Sequence, residues 1–305
     1  MVETILVTGA SGFLGSALVS SLVNNGFRVI GIGRNEYGLL NKDVINNDNF
    51  TFVKTQTDSN TSGLLADFNI NGIIHLASQL GYSNDLGYDD YYNGNVNTTR
   101  AVIKLSKEKN IKYVIFGSTC SMYGRSPLNG NINENVLPDP TDNYGFTKYI
   151  AEKLLEIELQ FVPTKVFVLR FTSIYGMNDR YGIVNTFATM AKQNNDIKLF
   201  GNGKKLRNLL HLPDAVELII KSIEKVDKLG KHEIFIAGGQ HSIKVFDLAT
   251  KLIKLINSNS KIILAEERTR VDWDPLIDIS KANRILGFSP ISVSEGLKQY
   301  ALELS

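Results

Sequence analysis

The segment Thr4-Ile5-Leu6-Val7-Thr8 runs without a break into Gly9-Ala10-Ser11-Gly12-Phe13-Leu14-Gly15. A β-branched run, then glycines, then a helical pattern over Phe13–Asn24 reads as strand, tight turn and helix. Glycines at this spacing permit a sharp turn and let backbone N–H groups approach an anion. The helix N-terminus behind them adds partial positive charge. The alternation continues: strands are predicted at Arg28–Gly31, Thr51–Val53, Gly72–Leu76, Tyr113–Gly117 and Val166–Phe171, and helices at Asn95–Lys109 and Tyr144–Phe161. Continuous apolar strands separated by helices require a parallel sheet covered on both faces. The prediction is therefore a doubly wound α/β sheet with right-handed crossovers.

Such a sheet, opened by a glycine turn, is a Rossmann architecture that binds a dinucleotide at the carboxyl ends of its strands. Past Phe171 the alternation loosens. Helical patterns at Val184–Gln193, Asp214–Val226 and Val245–Asn257 mix with short strands at Lys198–Phe200, Ile234–Ala237 and Lys261–Leu264. Residues 1–172 are read as the nucleotide domain. Residues 173–305 are read as a smaller substrate-binding lobe, able to lend an element back to the sheet. The asparagine-rich stretch Asn41–Asn49 reads as a solvated loop.

With 33 basic and 31 acidic residues and a net charge of +2, the chain carries neither a nucleic-acid footprint nor a membrane-steering field. One cysteine, Cys120, excludes an internal disulfide and suits a reducing compartment. No apolar run reaches the roughly 18 residues of a membrane span, and Ile5–Val7 leaves no room for a signal peptide. A cytoplasmic protein is expected, with no membrane or nucleic-acid partner and no metal site.

About 20 residues past the glycines, NAD-binding folds place a carboxylate on the ribose. Here the strand ends Ile32-Gly33-Arg34-Asn35, without one. A carboxylate would repel a 2′-phosphate, whereas a guanidinium pairs with it. NADP is thus favoured, with NAD possible, and an Arg34 stacked on the adenine or solvated is the competing reading. Tyr144 and Lys148 are four residues apart and share one helix face. A neighbouring ammonium stabilises a phenolate, which makes the pair a proton donor or acceptor.

The Gly-x-x-Gly-x-x-Gly spacing, the Tyr-x-x-x-Lys pair and Ser118-Thr119-Cys120-Ser121-Met122-Tyr123-Gly124 together resemble the extended short-chain dehydrogenase/reductase family, home of sugar-nucleotide epimerases, dehydratases and ketoreductases. The resemblance implies Thr119, Tyr144, Lys148 and Asn95 as the catalytic group. It implies Gly9, Ser11, Gly12, Phe13, Leu14, Gly15, Arg34, Leu76, Ala77, Ser78, Tyr144 and Lys148 as cofactor contacts. His75, in the loop beside the cofactor, reads as a core histidine and not as a base. Leu169–Gly176 resembles the strand closing the nucleotide domain, with Ser173 where the family often has asparagine. Gly201-Asn202-Gly203 followed by Arg207, and Arg268 or Arg270 ahead of Asp278–Ala282, resemble the family's diphosphate clamps, so Ser173, Arg207, Arg268 and Arg270 are the implied substrate contacts. Asp214 reads as a helix cap.

Dehydratases of the family carry Asp-Glu directly after the catalytic hydroxyl, where Cys120 and Ser121 stand here. Members that epimerise beside a ketone carry cysteine two places after it; Cys120 is one place after, a spectator thiol. Two reactions remain: NADPH-dependent reduction of a 4-keto-6-deoxy sugar nucleotide in deoxysugar biosynthesis, or C4 epimerisation with a tightly held cofactor. Arg34 tips the reading toward reduction. A non-catalytic NADP-binding regulatory subunit is the contrasting class. The resemblance also implies a homodimer, built on the helices Asn95–Lys109 and Tyr144–Phe161.

Overall fold

The computed structural model describes residues 2–35, 37–81, 85–124, 131–200, 203–266 and 276–304. The strands run in order β1 (Thr4–Thr8), β2 (Arg28–Gly33), β3 (Phe50–Lys54), β4 (Gly72–His75), β5 (Tyr113–Thr119), β6 (Asn131–Ile132) and β7 (Lys165–Phe171). They continue with β8 (Ser173–Tyr175), β9 (Ile197–Phe200), β10 (Leu206–His211), β11 (His232–Ala237), β12 (Ser242–Lys244), β13 (Ile262–Ala265) and β14 (Leu276–Ile277). The helices are α1 (Phe13–Asn24), α2 (Lys42–Ile45), α3 (Thr61–Leu64), α4 (Tyr88–Tyr91), α5 (Thr98–Glu108) and α6 (Asn143–Leu159). After them come α7 (Ile183–Lys192), α8 (Leu212–Glu224), α9 (Val245–Leu255), α10 (Ser280–Leu286) and α11 (Val293–Leu304). Two compact units result, each discontinuous in sequence: Met1–Met122 with Pro140–Arg170 and Val216–Phe235, and Tyr123–Asp139 with Phe171–Ala215 and Ile236–Ser305.

The first unit is organised by a seven-stranded parallel sheet of order β11-β7-β5-β4-β1-β2-β3. From β1 the chain goes to one edge and from β4 to the other, the doubly wound pattern the sequence predicts. Every residue of β1 and of β4 is buried, as a sheet covered on both faces demands. Leu6, Ile73, Val114 and Phe116 from the strands pack in one core with Val102 and Leu105 of α5 and Ala151, Leu155 and Leu159 of α6.

Several element ends shift by a residue or two, and three differences have a local physical reason. β2 runs on to Gly33, because Gly31 and Gly33 keep their ladder positions opposite Phe52 and Lys54 of β3. Gly31 is glycine for want of room: a Cβ there would stand 2.9 Å from the Ala10 Cβ. The asparagine-rich stretch is not all loop, since the Asn41 side chain accepts the Val44 N–H at 2.8 Å and caps the single turn of α2. The helix expected from Asn95 instead begins as a π-helical segment, Tyr92–Asn97, before continuing as α5.

The second unit holds a three-stranded sheet, β12-β10-β8, and two small pairs, β13-β9 and β14-β6. Its core gathers Phe187 of α7, Leu209 of β10, Leu248 and Leu252 of α9, and Leu297 and Tyr300 of α11. Asp214 is not the cap of α8: it lies in the helix's first turn and accepts the Ile291 N–H at 3.1 Å, tying in the segment that leads to α11. Among the described residues, no helix is long and apolar enough to cross a membrane.

Leu155 is fully buried where α6 meets the sheet. Leu155→Ala should lower the unfolding free energy by about 2–5 kcal/mol. The readout is a lower urea midpoint at unchanged slope; an unmoved midpoint would mean that this face is not packed as described.

Candidate active site

The switch point of the sheet lies between β1 and β4, and the glycine turn sits on it. Gly9 has φ +72°, a left-handed conformation that a side chain would strain. A Cβ on Gly9 would stand 2.8 Å from the Ala77 nitrogen, so the segments following β1 and β4 meet backbone to backbone. A Cβ on Gly15 would lie 2.1 Å from the Gly9 carbonyl oxygen, so only glycine lets α1 close onto the turn. Gly12 begins α1 without a side-chain cap, and no acidic residue stands in the first turn. The Gly12 N–H is taken by the Gly9 carbonyl at 3.0 Å, and the backbone N–H groups of Ser11, Phe13, Leu14 and Gly15 make the turn an anion cradle that a dinucleotide pyrophosphate fits.

At the end of β2, a Cβ on Gly33 would stand 2.4 Å from Ser11 Oγ and 3.1 Å from the Phe52 ring. Arg34 follows, exposed. The loop beyond leans back on the cradle: the Leu39 N–H donates to the Ser11 carbonyl at 3.1 Å, and the Tyr37 ring packs 5.4 Å from Phe52. Gly33 thus packs between the cradle and Phe52, and Arg34 is the next residue out.

His75 is wholly buried in a directional chain. Thr99 spends its one proton on the Asn95 carbonyl at 2.7 Å, so at 3.1 Å from His75 Nε2 it accepts. The Nε2–H tautomer follows, and Nδ1 accepts the Thr8 hydroxyl at 2.7 Å while Thr8 Oγ1 receives the Ala77 N–H at 3.2 Å. Burial, reinforced by the positive charge of Lys148, lowers the pKa of His75 to about 3. The ring is a strut between the end of β1 and the first turn of α5, consistent with a core histidine.

Asn95 is buried in that turn, a local geometry often found at functional sites. Its Oδ1 accepts from the Ser78 hydroxyl at 2.7 Å and the Gln79 N–H at 2.8 Å. Its Nδ2 donates to Thr147 Oγ1 at 3.0 Å and the Gln79 carbonyl at 3.3 Å. One amide thus ties the cofactor-side loop Leu76–Gln79 to the helix that carries Tyr144 and Lys148.

That helix, α6, begins where Asp142 accepts the Gly145 N–H at 2.7 Å. A Cβ on Gly145 would stand 2.9 Å from the Ser121 carbonyl, so glycine lets α6 approach the segment after β5. Thr119 ends β5; its hydroxyl donates to Ser121 Oγ at 3.1 Å and accepts the Ser121 N–H at 3.1 Å. Tyr144 is half-buried, with Cβ 3.4 Å from the position a Cβ on Gly81 would take. Lys148 is buried with Nζ 4.0 Å over the Phe116 ring centroid. Burial lowers its pKa to about 7, opposed by the Glu152 carboxylate one turn on. Cys120 is buried, its thiol 3.1 Å from the Arg170 carbonyl.

Thr119, Tyr144, Lys148, Asn95, the cradle, Arg34 and the loop Leu76–Ser78 all belong to the first unit. Ser173 and Arg207 belong to the second, on adjacent parallel strands, with Ser173 opposite Leu209 and Arg207 two residues before that partner. Ser173 is exposed, and Arg207 is half-buried with Nη1 donating to the Leu206 carbonyl at 2.8 Å. Arg268, Arg270, Gly201 and Asn202 lie outside the described residues. Sequence reasoning assigned no role to Glu152, Ser118 or Arg170, which form a buried network beneath Lys148. The visible signal was spacing: Glu152 stands four residues after Lys148 and eight after Tyr144, on the same helix face.

The model of the NAD dependent epimerase/dehydratase family matches residues 5–238. The chain belongs to that family. A UDP-glucuronate 4-epimerase of Thermodesulfobacterium geofontis is 28% identical, over 96% of this chain and 94% of the relative. The crystal structure of a UDP-glucose 4-epimerase from Thermotoga maritima with UDP-glucose superimposes with TM-score 0.89 at 25% identity, covering 99% of this chain and 98% of that one. A UDP-glucuronic acid 4-epimerase from Bacillus cereus, in complex with UDP-glucuronic acid and NAD, gives TM-score 0.86 at 26% identity over 99% and 100% of the two chains. Family membership bears out the resemblance to extended short-chain dehydrogenases/reductases and makes the chain an NAD(P)-dependent enzyme.

The His75 network has an acid consequence. The folded imidazole stays neutral down to about 3, whereas the unfolded one protonates near 6.5. Between those values the unfolded chain binds the extra proton, so stability falls as pH falls through that window. Nitrogen spectra of His75 recorded at about pH 5 should still show a neutral ring protonated on Nε2. An imidazolium at that pH would contradict the hydrogen-bond directions given above.

Proposed function

We propose that this enzyme reduces a 4-keto-6-deoxy sugar nucleotide with NADPH. The observation that carries the reading is the Gly33-Arg34 end of β2. No carboxylate stands there to hold the 2′-hydroxyl of NAD, a Cβ at 33 would press on Ser11 and Phe52, and a guanidinium is next in the chain. A 2′-phosphate matches that guanidinium, with no carboxylate at the strand end to repel it. An NADPH-consuming enzyme performs net reduction.

Gly9, Ser11, Gly12, Phe13, Leu14 and Gly15 would hold the pyrophosphate, Arg34 the 2′-phosphate, and Leu76, Ala77 and Ser78 the nicotinamide side. The bound dinucleotide supplies the hydride. Tyr144 passes a proton to the carbonyl oxygen as it becomes a carbinol, and Thr119 polarises that oxygen. Lys148 stabilises the phenolate left on Tyr144 and holds the nicotinamide ribose. Asn95 keeps the cofactor loop and α6 in register. Ser173 and Arg207, with Arg268 or Arg270, would bind the substrate diphosphate. The UDP-sugars named for the similar proteins support a sugar nucleotide as substrate.

The second reading is a C4 epimerase with retained NAD(P), favoured by the end-to-end similarity to UDP-glucuronate 4-epimerases. It uses the same residues but returns the hydride to the opposite face of the same carbon. Relatives also include dTDP-sugar dehydratases and reductases. Dehydration fits poorly, since Cys120 and Ser121 supply no acid–base pair after Thr119.

NADPH absorbance followed with a panel of 4-keto-6-deoxy sugar nucleotides is expected to fall in step with product. Interconversion of ordinary UDP-sugars without net NADPH loss would instead make the protein an epimerase. Tyr144→Phe should cut turnover by about 10²–10⁴ while NADPH binding persists; unchanged turnover would remove Tyr144 from the mechanism. Arg34→Ala should weaken NADPH roughly tenfold or more and leave NADH unaffected. Equal losses for both nucleotides would refute the phosphate assignment.

A further inference from the structure

A carboxylate lies buried beneath the catalytic pair, and the proposed chemistry has no use for it. Glu152 sits on α6 one turn past Lys148 and two past Tyr144, with its side chain almost wholly out of solvent. Its Oε2 accepts from Arg170 Nη2 at 2.6 Å and Nε at 3.2 Å, and its Oε1 accepts from the same Nε at 3.1 Å. Oε1 also accepts the Ser118 hydroxyl at 2.5 Å. Ser118 immediately precedes Thr119 on β5, and Arg170 lies on β7 beside it in the sheet. One carboxylate therefore bonds the strand that carries the catalytic hydroxyl, the neighbouring strand, and the helix that carries the tyrosine and lysine. A merely structural ion pair here could have been apolar, since replacing such a pair by hydrophobic residues of similar volume is often neutral or stabilising.

We propose that Glu152, through Ser118 and Arg170, is the positioning group that sets the distance between Thr119 and the Tyr144–Lys148 pair, and that, one helix turn from Lys148, it is the counter-charge of that side chain. The inference rests on the catalytic roles given above to Thr119, Tyr144 and Lys148. Lys148 is packed against the Phe116 ring of β5; Glu152 and Tyr144 share its helix, neutral His75 ends β4, and Arg170 on β7 is paired with Glu152. Glu152 is the anion among them. The loss of water disfavours the ammonium, and Glu152 opposes it. The Ser118 bond acts differently. It carries no charge to Lys148, and its loss loosens only the link from α6 to the residue before Thr119.

These two effects separate in experiment. Ser118→Ala should lower kcat for the 4-keto substrate roughly tenfold with KM little changed, and leave the pH midpoint of NADPH binding where it is. Glu152→Gln should move that midpoint down by about one pH unit. Because Glu152→Gln leaves Arg170 buried without its counter-charge and can fail to fold, the paired replacement Glu152→Leu/Arg170→Met removes both charges at similar volume and serves as the second charge variant. Glu152→Asp, which keeps the charge, should restore the wild-type midpoint. NADPH binding, followed by its fluorescence against pH, needs no turnover. If no panel substrate is reduced by the wild type, the reductase reading falls while the midpoint shift still decides the role of Glu152. Midpoints within about 0.2 pH units of wild type in the charge variants would overturn the proposal. So would a Ser118→Ala enzyme of wild-type kcat.

Discussion

Three close approaches of backbone to backbone, at positions where no Cβ fits, hold the first unit's chemistry together. Gly9 meets Ala77, Gly15 meets the Gly9 carbonyl, and Gly145 meets the Ser121 carbonyl, at virtual Cβ distances of 2.8, 2.1 and 2.9 Å. The first joins the ends of β1 and β4, the second seats α1 on the cradle, and the third brings α6 against the segment after Thr119. An added methyl at any of the three would have to displace main chain, which side-chain repacking cannot relieve. The hydrogen bonds of Asn95 and Glu152 then work over distances these contacts have already made short.

Much of this was legible in the order of residue types. The run into Gly9 identifies β1, the turn and α1, and α1 spans the predicted Phe13–Asn24 without change. Parallel strands buried on both faces are continuous apolar runs, so β4 and β5 announce themselves within a residue or two. What stayed hidden depends on tertiary partners. Gly31 and Gly33 read as the end of a strand, yet β3 supplies ladder partners that carry β2 through them. The π-helical turn at Tyr92–Asn97 is one extra residue per turn, and no apolar period reveals it. Asp214 at a helix start looks like a cap, while its partner, the Ile291 N–H, is 77 residues away. Glu152 was spaced to be found, but its significance comes from Ser118 and Arg170, which lie on other elements.

His75 shows why a titratable residue beside a cofactor loop need not titrate. A base must exchange a proton with something, and each neighbour of this ring is committed: Thr99 to the Asn95 carbonyl, Thr8 to the imidazole itself. Reversing the ring tautomer would leave Thr99 with two acceptors and one proton, and would face two donors across Thr8. The chain is rigid because its bonds have one direction. That rigidity is transmitted to Asn95, whose amide holds the loop at Ser78 and Gln79.

On the proposed reading, the choice of cofactor and the chemistry of proton transfer reside in different parts of one sheet. Gly33 and Arg34 act at the end of β2, toward one edge, where the decision is electrostatic and concerns a phosphate remote from the reacting carbon. Thr119, Tyr144 and Lys148 act at the end of β5 and on α6, on the other side of the switch point. Nothing in the second group distinguishes an enzyme that delivers a hydride and releases its cofactor from one that takes it back. The distinction must come from how firmly the dinucleotide is retained and how freely the keto sugar turns. Gly33-Arg34 bears on the first of these. On the proposed reading its exposed guanidinium would bind a phosphate that can also leave into solvent, an arrangement suited to a reductant that exchanges at every turnover.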